Sequence, residues 1–114
     1  SVASDLRAAG LRHEIIVVDD KSHDHSVRVV QERYPFVQLV LNPRNSGYAF
    51  SCNRGMRRAR GAFILLLNTD AVVHPGSIRR VWEFMSAHPE IGGVGSKVFS
   101  ESGALEKTVG SFQA

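Results

Sequence analysis

Three short polar clusters hold the residues of this sequence most suited to chemistry. Asp19 and Asp20 stand side by side after the apolar run Glu14-Ile15-Ile16-Val17-Val18. Asn42 to Gly47 follows Phe36-Val37-Gln38-Leu39-Val40-Leu41, and Asn68 and Asp70 follow Phe63-Ile64-Leu65-Leu66-Leu67. Adjacent carboxylates repel each other, and a cation or a hydrogen-bond donor relieves that repulsion. Asn68 and Asp70 are two residues apart, so an extended backbone projects both side chains to the same side. Their oxygens suit a hard cation, Mg²⁺ or Mn²⁺, that also holds phosphate oxygens. The same spacing also makes a good turn. Asn45-Ser46-Gly47 opens a helical stretch, whose first amides can face an anion.

Those clusters need elements to hold them. The three apolar runs are short, rich in β-branched and aliphatic residues and without strict alternation, as in strands covered on both faces. The segments between them read as helices. Ser22 or Asp24 can cap one that carries Val27, Val30 and Tyr34 and stops at Pro35. Ser46 can cap a second, with Ala49, Cys52, Met56 and Ala59 on one face and Gly61 at its C-terminal end. Pro75 suits the first turn of a third, with Ile78, Val81, Trp82 and Met85 on one side and Pro89 after it. Residues Ser4–Ala9 read as the end of a helix, and Gly93–Phe99 as a candidate fourth strand. Alternating strands and helices predict crossovers and a mostly parallel sheet. Ligands of such sheets bind beyond the carboxyl ends of the strands, and all three polar clusters are predicted on that edge.

Composition narrows the function classes. The chain has 114 residues, 43 % apolar and 22 % charged, with 14 Lys and Arg against 11 Asp and Glu, a net charge of +3. That describes one small folded domain. No apolar run approaches the roughly 20 residues of a membrane-spanning helix, and no signal-peptide pattern is visible. The single Cys52 excludes an internal disulfide framework and a cysteine-based zinc site, and reads as packing. A charge of +3 is too weak to argue for nucleic acid. His23, Asp24 and His25 are neighbours that do not converge readily on one metal, so a helix start explains them better. Arg54, Arg57, Arg58 and Arg60 make a basic helix face, either solvated or set against phosphates or an anionic membrane. Asn53 is a poor helix former; it either bonds a strand-end loop or faces solvent. There is no Walker pattern, and Gly92-Gly93-Val94-Gly95 falls before a strand, the wrong order for a dinucleotide fingerprint.

Taken together, these residues resemble a family. Ile15-Ile16-Val17-Val18-Asp19-Asp20-Lys21-Ser22-His23-Asp24 resembles the "IIVVDDGSTD" segment of family 2 glycosyltransferases. Asn45-Ser46-Gly47-Tyr48-Ala49, then Asn53, Gly55 and Ala59-Arg60-Gly61, resembles the family's "N-x-G-[FY]-[AG]…N-x-G…A-x-G". Leu65-Leu66-Leu67-Asn68-Thr69-Asp70 is similar to its "LLNxD" form of the DxD motif, the variant most like the rhamnosyltransferase-like branch. Gly95 to Phe99, Gly103-Ala104-Leu105 and Phe112 resemble the stretch that follows. The resemblance spans roughly residues 12 to 112, and the order and spacing of the motifs make it specific.

The resemblance implies a three-layer α/β/α, Rossmann-like GT-A fold, here incomplete, with residues 1–114 as a single partial nucleotide-sugar-binding domain. It implies that Asp20 bonds the nucleotide base, that Asp19 and Ser22 shape that pocket, and that Asn45, Gly47 and Asn53 belong to the nucleotide-sugar site. Asp70 would bind Mg²⁺ or Mn²⁺ on the diphosphate. Asn68 stands where many members have an Asp and would take a ribose or sugar contact instead. Lys21 replaces the usual Gly and His23 the usual Thr, in a tolerant turn.

The implied reaction is inverting transfer of a sugar from a UDP- or dTDP-linked donor to a hydroxyl of a glycan or lipid-linked acceptor. It belongs to polysaccharide or cell-envelope synthesis, in the cytoplasm or at the inner face of the membrane. Glu101 and Glu106 do not match the family's catalytic base, which is expected beyond residue 114, so the chain alone is expected to be inactive. The family's opening strand, normally central between residues 14–18 and 62–67, is expected to be missing. That leaves sheet edges open to reordering or to self-association. The rival readings are a non-catalytic nucleotide-binding module, a receiver-like phosphoacceptor domain and a nucleotidyltransferase. A receiver needs a Lys-Pro at a late strand end, where Val98 follows Lys97, and a nucleotidyltransferase needs a Gly-rich basic opening loop.

Overall fold

Residues 1–106 are described by a computed structural model of the chain. Helix α1 spans Val2–Ala9 and ends on Gly10, whose φ of 68° is the left-handed cap conformation that glycine adopts without strain. Strand β1 spans Ile16–Asp19, helix α2 Ser26–Arg33, strand β2 Gln38–Leu41 and helix α3 Tyr48–Arg58. Helix α4 spans Ser77–Ala87, and strands β3 (Val98–Phe99) and β4 (Leu105–Glu106) form a small antiparallel hairpin.

Strands β1 and β2 pair in parallel, with Ile16 opposite Gln38 and Asp19 opposite Leu41. Parallel strands need a crossover, and α2 supplies it. Asp24 Oδ1 accepts from Ser26 N at 2.9 Å at the start of α2, and Pro35 blocks its continuation. Helix α3 packs on β1. Its close approach falls at Gly55, where an added Cβ would stand 3.2 Å from Val18 Cγ2.

Helix α1 packs instead on α4. Asp5, 7 % exposed, accepts from Gly76 N at 2.6 Å and from Ile78 N at 3.2 Å. Arg79 Nη1 donates to the Ala9 carbonyl at 3.0 Å. Among the described residues Ala9 and Val40 are the buried apolar side chains. Much of the apolar surface therefore faces outward.

Several expectations are corrected. Phe63–Leu67 is not a strand; it runs without ladder partners, and all five side chains are exposed. A strand is defined by its neighbour's hydrogen bonds, and β1 pairs only with β2 among the described residues. Among the described residues the open edge of β1 is therefore not closed by another strand. Of Gly93–Phe99 only Val98–Phe99 is strand, and it is antiparallel to β4. Helix α3 is capped by Gly47 and Ala59 rather than Ser46 and Gly61, and α4 by Gly76, one residue after Pro75. Trp82, on the predicted apolar side of α4, is 40 % exposed. The Phe112 end of the resemblance lies outside the described residues.

Candidate functional site

The register of the parallel pair builds the site. With Asp19 opposite Leu41, the next residues on each strand, Asp20 and Asn42, become neighbours. Asn42 N donates to the Asp19 carbonyl at 2.8 Å, which extends the ladder by one rung. The Asn42 side chain is buried, and each of its polar atoms is used. Its Nδ2 donates to Asp20 Oδ1 at 2.8 Å and to Ser51 Oγ at 2.9 Å, and its Oδ1 accepts from Arg54 Nη1 at 2.7 Å. Arg54 Nη1 also donates to the Leu41 carbonyl at 2.9 Å. Ser51 and Arg54 are three apart on α3 and so share a helix face.

Asp20 is held from a second side by the loop before α3. Ser46 N donates to Oδ1 at 2.9 Å and Gly47 N to Oδ2 at 2.8 Å. The Asn42 amide and then the Ser46 amide hold the Asp20 carboxyl below the usual carboxylate range, against the opposing effect of partial burial. Each of these donors favours the charged form. Gly47 has φ 88°, a conformation that L side chains rarely adopt, and its amide can therefore turn back on Asp20.

Asp19 closes the preceding turn. Its Oδ2 accepts from Ser22 N at 3.0 Å, and its Oδ1 accepts from the Ser22 hydroxyl. The turn requires left-handed backbone at Lys21, with φ 62°. Glycine adopts that conformation without strain.

The opposite end of the same strand pair carries a structural counterpart. Glu14 Oε2 accepts from Gln38 Nε2 at 2.8 Å, and Oε1 accepts from Arg60 N at 2.6 Å. The Arg60 amide chiefly lowers the Glu14 carboxyl pKa. Glu14 thus fixes the exit of α3 beneath the sheet, while Asp20 fixes its entry above.

The remaining predicted residues are not drawn into this network. Asn45 and Asn53 are exposed, and their side chains make no hydrogen bond among the described residues. Ser51 and Arg54 make the strand-end contacts that Asn53 was a candidate for. Asn68 and Asp70 lie in a turn closed by Ala71 N donating to the Asn68 carbonyl at 3.1 Å. Both side chains are exposed, and neither bonds the Asp20 cluster among the described residues. No group of three or more His, Cys, Asp or Glu able to hold a metal occurs among the described residues. One free carboxylate and one amide oxygen still fit a cation of the Mg²⁺ type, which keeps waters and takes substrate phosphate oxygens. Sequence reasoning placed Asn42 in the second polar cluster without giving it a role, and missed Ser51 and Arg54 as its partners. The signal for Asn42 was its position immediately after a strand beside "DD", which the parallel register makes adjacent.

A parallel pair with a polar network at its carboxyl end is the ligand-binding half of an open α/β sheet. Residues 1–112 match the sequence profile of Glycosyl transferase family 2, and the chain belongs to that family. The fold is accordingly an incomplete GT-A, Rossmann-like α/β domain. Among curated relatives, succinoglycan biosynthesis protein ExoO of Rhizobium meliloti is 36 % identical over 84 residues, 73 % of this chain and 24 % of that protein. Undecaprenyl-phosphate 4-deoxy-4-formamido-L-arabinose transferase of Pseudomonas savastanoi is 33 % identical over 61 % of this chain and 22 % of its own length. Minor teichoic acid biosynthesis protein GgaB of Bacillus subtilis is 30 % identical over 66 % of this chain and 9 % of its own length. The chain thus spans a quarter or less of each of these three relatives. No solved structure matches. Among the described residues no helix is long and apolar enough to cross a membrane.

Proposed function

We propose that this chain is the donor-binding part, a single partial domain, of a glycosyltransferase that moves a sugar from a UDP- or dTDP-linked donor to an acceptor hydroxyl with inversion. The observation that carries the reading is the Asp20 carboxylate, fixed by Asn42, Ser46 and Gly47 at the ligand-binding end of a family 2 strand pair. An ionised carboxylate offers about four acceptor positions, and protein donors fill three of those of Asp20. The position left on Oδ2 suits the imide N–H that uracil and thymine both carry. Asp19 and Ser22 hold the turn beside it, and Asn45, Gly47, Asn53 and Asn68 border the nucleotide-sugar site.

Asp70 would hold Mg²⁺ or Mn²⁺ against the donor diphosphate. Such a cation neutralises charge that develops on the departing nucleoside diphosphate. The chain's own part is to bind the base at Asp20 and to present Asp70 to the diphosphate. A base for the acceptor hydroxyl is assigned to none of these residues, so residues 1–114 alone are expected to lack transfer activity.

Relatives named for succinoglycan, teichoic acid and undecaprenyl-phosphate chemistry support polysaccharide or cell-envelope synthesis with a glycan or lipid-linked acceptor. The matching compartment is the cytoplasm, at the inner membrane face where the acceptor is lipid-linked.

Calorimetric titration of the full-length protein with UDP and dTDP, with and without Mn²⁺, tests this reading. Binding that Mn²⁺ strengthens in wild type, but not in Asp70→Ala, is expected. Folded protein that binds neither nucleotide would overturn the reading.

A further inference from the structure

We infer that Asp5 is a positioning residue for the Asp70 turn. The inference rests on the reading of Asp70 as a cation ligand. An acidic residue in the first turn of a helix is ordinary, but Asp5 is buried, and its carboxylate serves a different helix. It accepts from Gly76 N at 2.6 Å and Ile78 N at 3.2 Å, at the start of α4. Gly76, the N-cap, has no side chain to do this. Asp5 therefore caps α4 from 71 residues away.

The consequence reaches back along the chain. Val73 N donates to Ser1 Oγ at 3.3 Å. Among the described residues, the hydrogen bonds that tie the 71–78 backbone to segments distant in sequence go to Ser1 and Asp5 of the α1 segment. The backbone leaving Asp70 is thus pinned three and six residues downstream by that segment. Charge-assisted bonds from a buried carboxylate are strong and costly to break. They give the exposed Asp70 turn a fixed base, though its own side chains bond nothing among the described residues.

Groups that orient a metal ligand typically change metal affinity 10- to 100-fold, and Asp5 acts through six residues of backbone, so about tenfold is expected. The experiment is UDP calorimetry on the full-length protein, with and without Mn²⁺, for wild type, Asp5→Ala, Asp5→Asn and Asp70→Ala. Hydrogen exchange of the 68–76 segment is measured without metal. Asp5→Ala is expected to weaken the Mn²⁺-dependent part of binding about tenfold, while Mn²⁺-free UDP affinity stays within about twofold, as for uncoupled sites. Asp5→Asn, which keeps one acceptor oxygen, falls between, and exchange at Ala71 and Val73 quickens in both variants.

Folded Asp5→Ala with wild-type Mn²⁺ dependence would overturn the inference. Where Asp5→Ala does not fold, Asp5→Asn with unchanged Mn²⁺ dependence and unchanged exchange does the same. If Asp70→Ala keeps its Mn²⁺ dependence, the cation reading of Asp70 fails separately. The positioning of the turn is then decided by exchange alone, and unchanged exchange in the Asp5 variants overturns it.

Discussion

Asn42 Nδ2 donates to Asp20 Oδ1 at 2.8 Å and ties the end of β2 to the end of β1. One buried amide thereby joins both strands and, through Ser51 and Arg54, the helix α3, while Asp20 itself accepts from the loop before α3. Asn42→Ala leaves Asp20 without one donor and Arg54 with the Leu41 carbonyl alone. Unsatisfied buried groups cost about 1–3 kcal/mol, so a loss of that size is expected in urea unfolding of the full-length protein. Asn42→Asp should be no better. It would set a second carboxylate against Asp20.

Acid should act on the same cluster. Hydrogen bonds from Asn42 and Ser46 keep the Asp20 pKa below its ordinary value. A carboxylate lowered on folding stabilises the fold above its unfolded pKa, about 3.9, and loses that contribution as pH falls through the folded value. Stability should therefore drop below about pH 4, and Asp20→Asn should flatten that drop. Glu14, also lowered, chiefly by the Arg60 amide, has the same sign. Adding Glu14→Gln should flatten it further. An unchanged acid limb in the double variant would refute the assignment.

Lys21 offers a gain. Its φ of 62° is a conformation that costs an L residue about 1–2 kcal/mol. Glycine removes that strain but loses about 0.5–1 kcal/mol of chain entropy. Lys21→Gly should thus stabilise by roughly 0.5–1 kcal/mol, read as a raised urea midpoint. A lowered midpoint would mean that the Lys21 side chain contributes something beyond the turn.

The strand pair, the four helices and the Asp19–Asp20 cluster were legible because their signals are local. β-branched runs, Gly10 and Pro35 act within a few residues. The third strand was not legible in the same way, since Phe63–Leu67 has strand composition but strand structure also needs a partner. The roles of Asn42 and Asp5 were not legible for a related reason. Each works on groups distant in sequence: Asn42 bonds Asp20 22 residues away, and Asp5 bonds Gly76 71 residues away. Asp70 was legible as a residue type, yet its placement relative to Asp20 depends on an extended segment that no ladder fixes.

Gly55 should tolerate little. The helix could gain up to about 1 kcal/mol from a better former there, but a Cβ already meets Val18 Cγ2 at 3.2 Å. Val18 is β-branched, stiff at χ1 and set in the β1 ladder, so it cannot swing away. Gly55→Val adds two further carbons at this contact and should cost about 1–3 kcal/mol by overpacking. Wild-type stability for Gly55→Val would show that α3 can shift along β1.

The exposed run makes the last prediction. Phe63, Ile64, Leu65, Leu66 and Leu67 are each 39 to 54 % exposed, and β1 has a free edge among the described residues. Fully burying one such side chain is worth about 1.5–3 kcal/mol, and contiguous apolar surface with an open edge drives association. A preparation of residues 1–114 alone should therefore associate as its concentration rises, seen as a growing sedimentation coefficient. Ile64→Lys with Leu66→Lys should suppress it by placing charge on the run. A monodisperse monomer at millimolar concentration, with the strand pair intact by amide exchange, would show that the apolar run does not drive association.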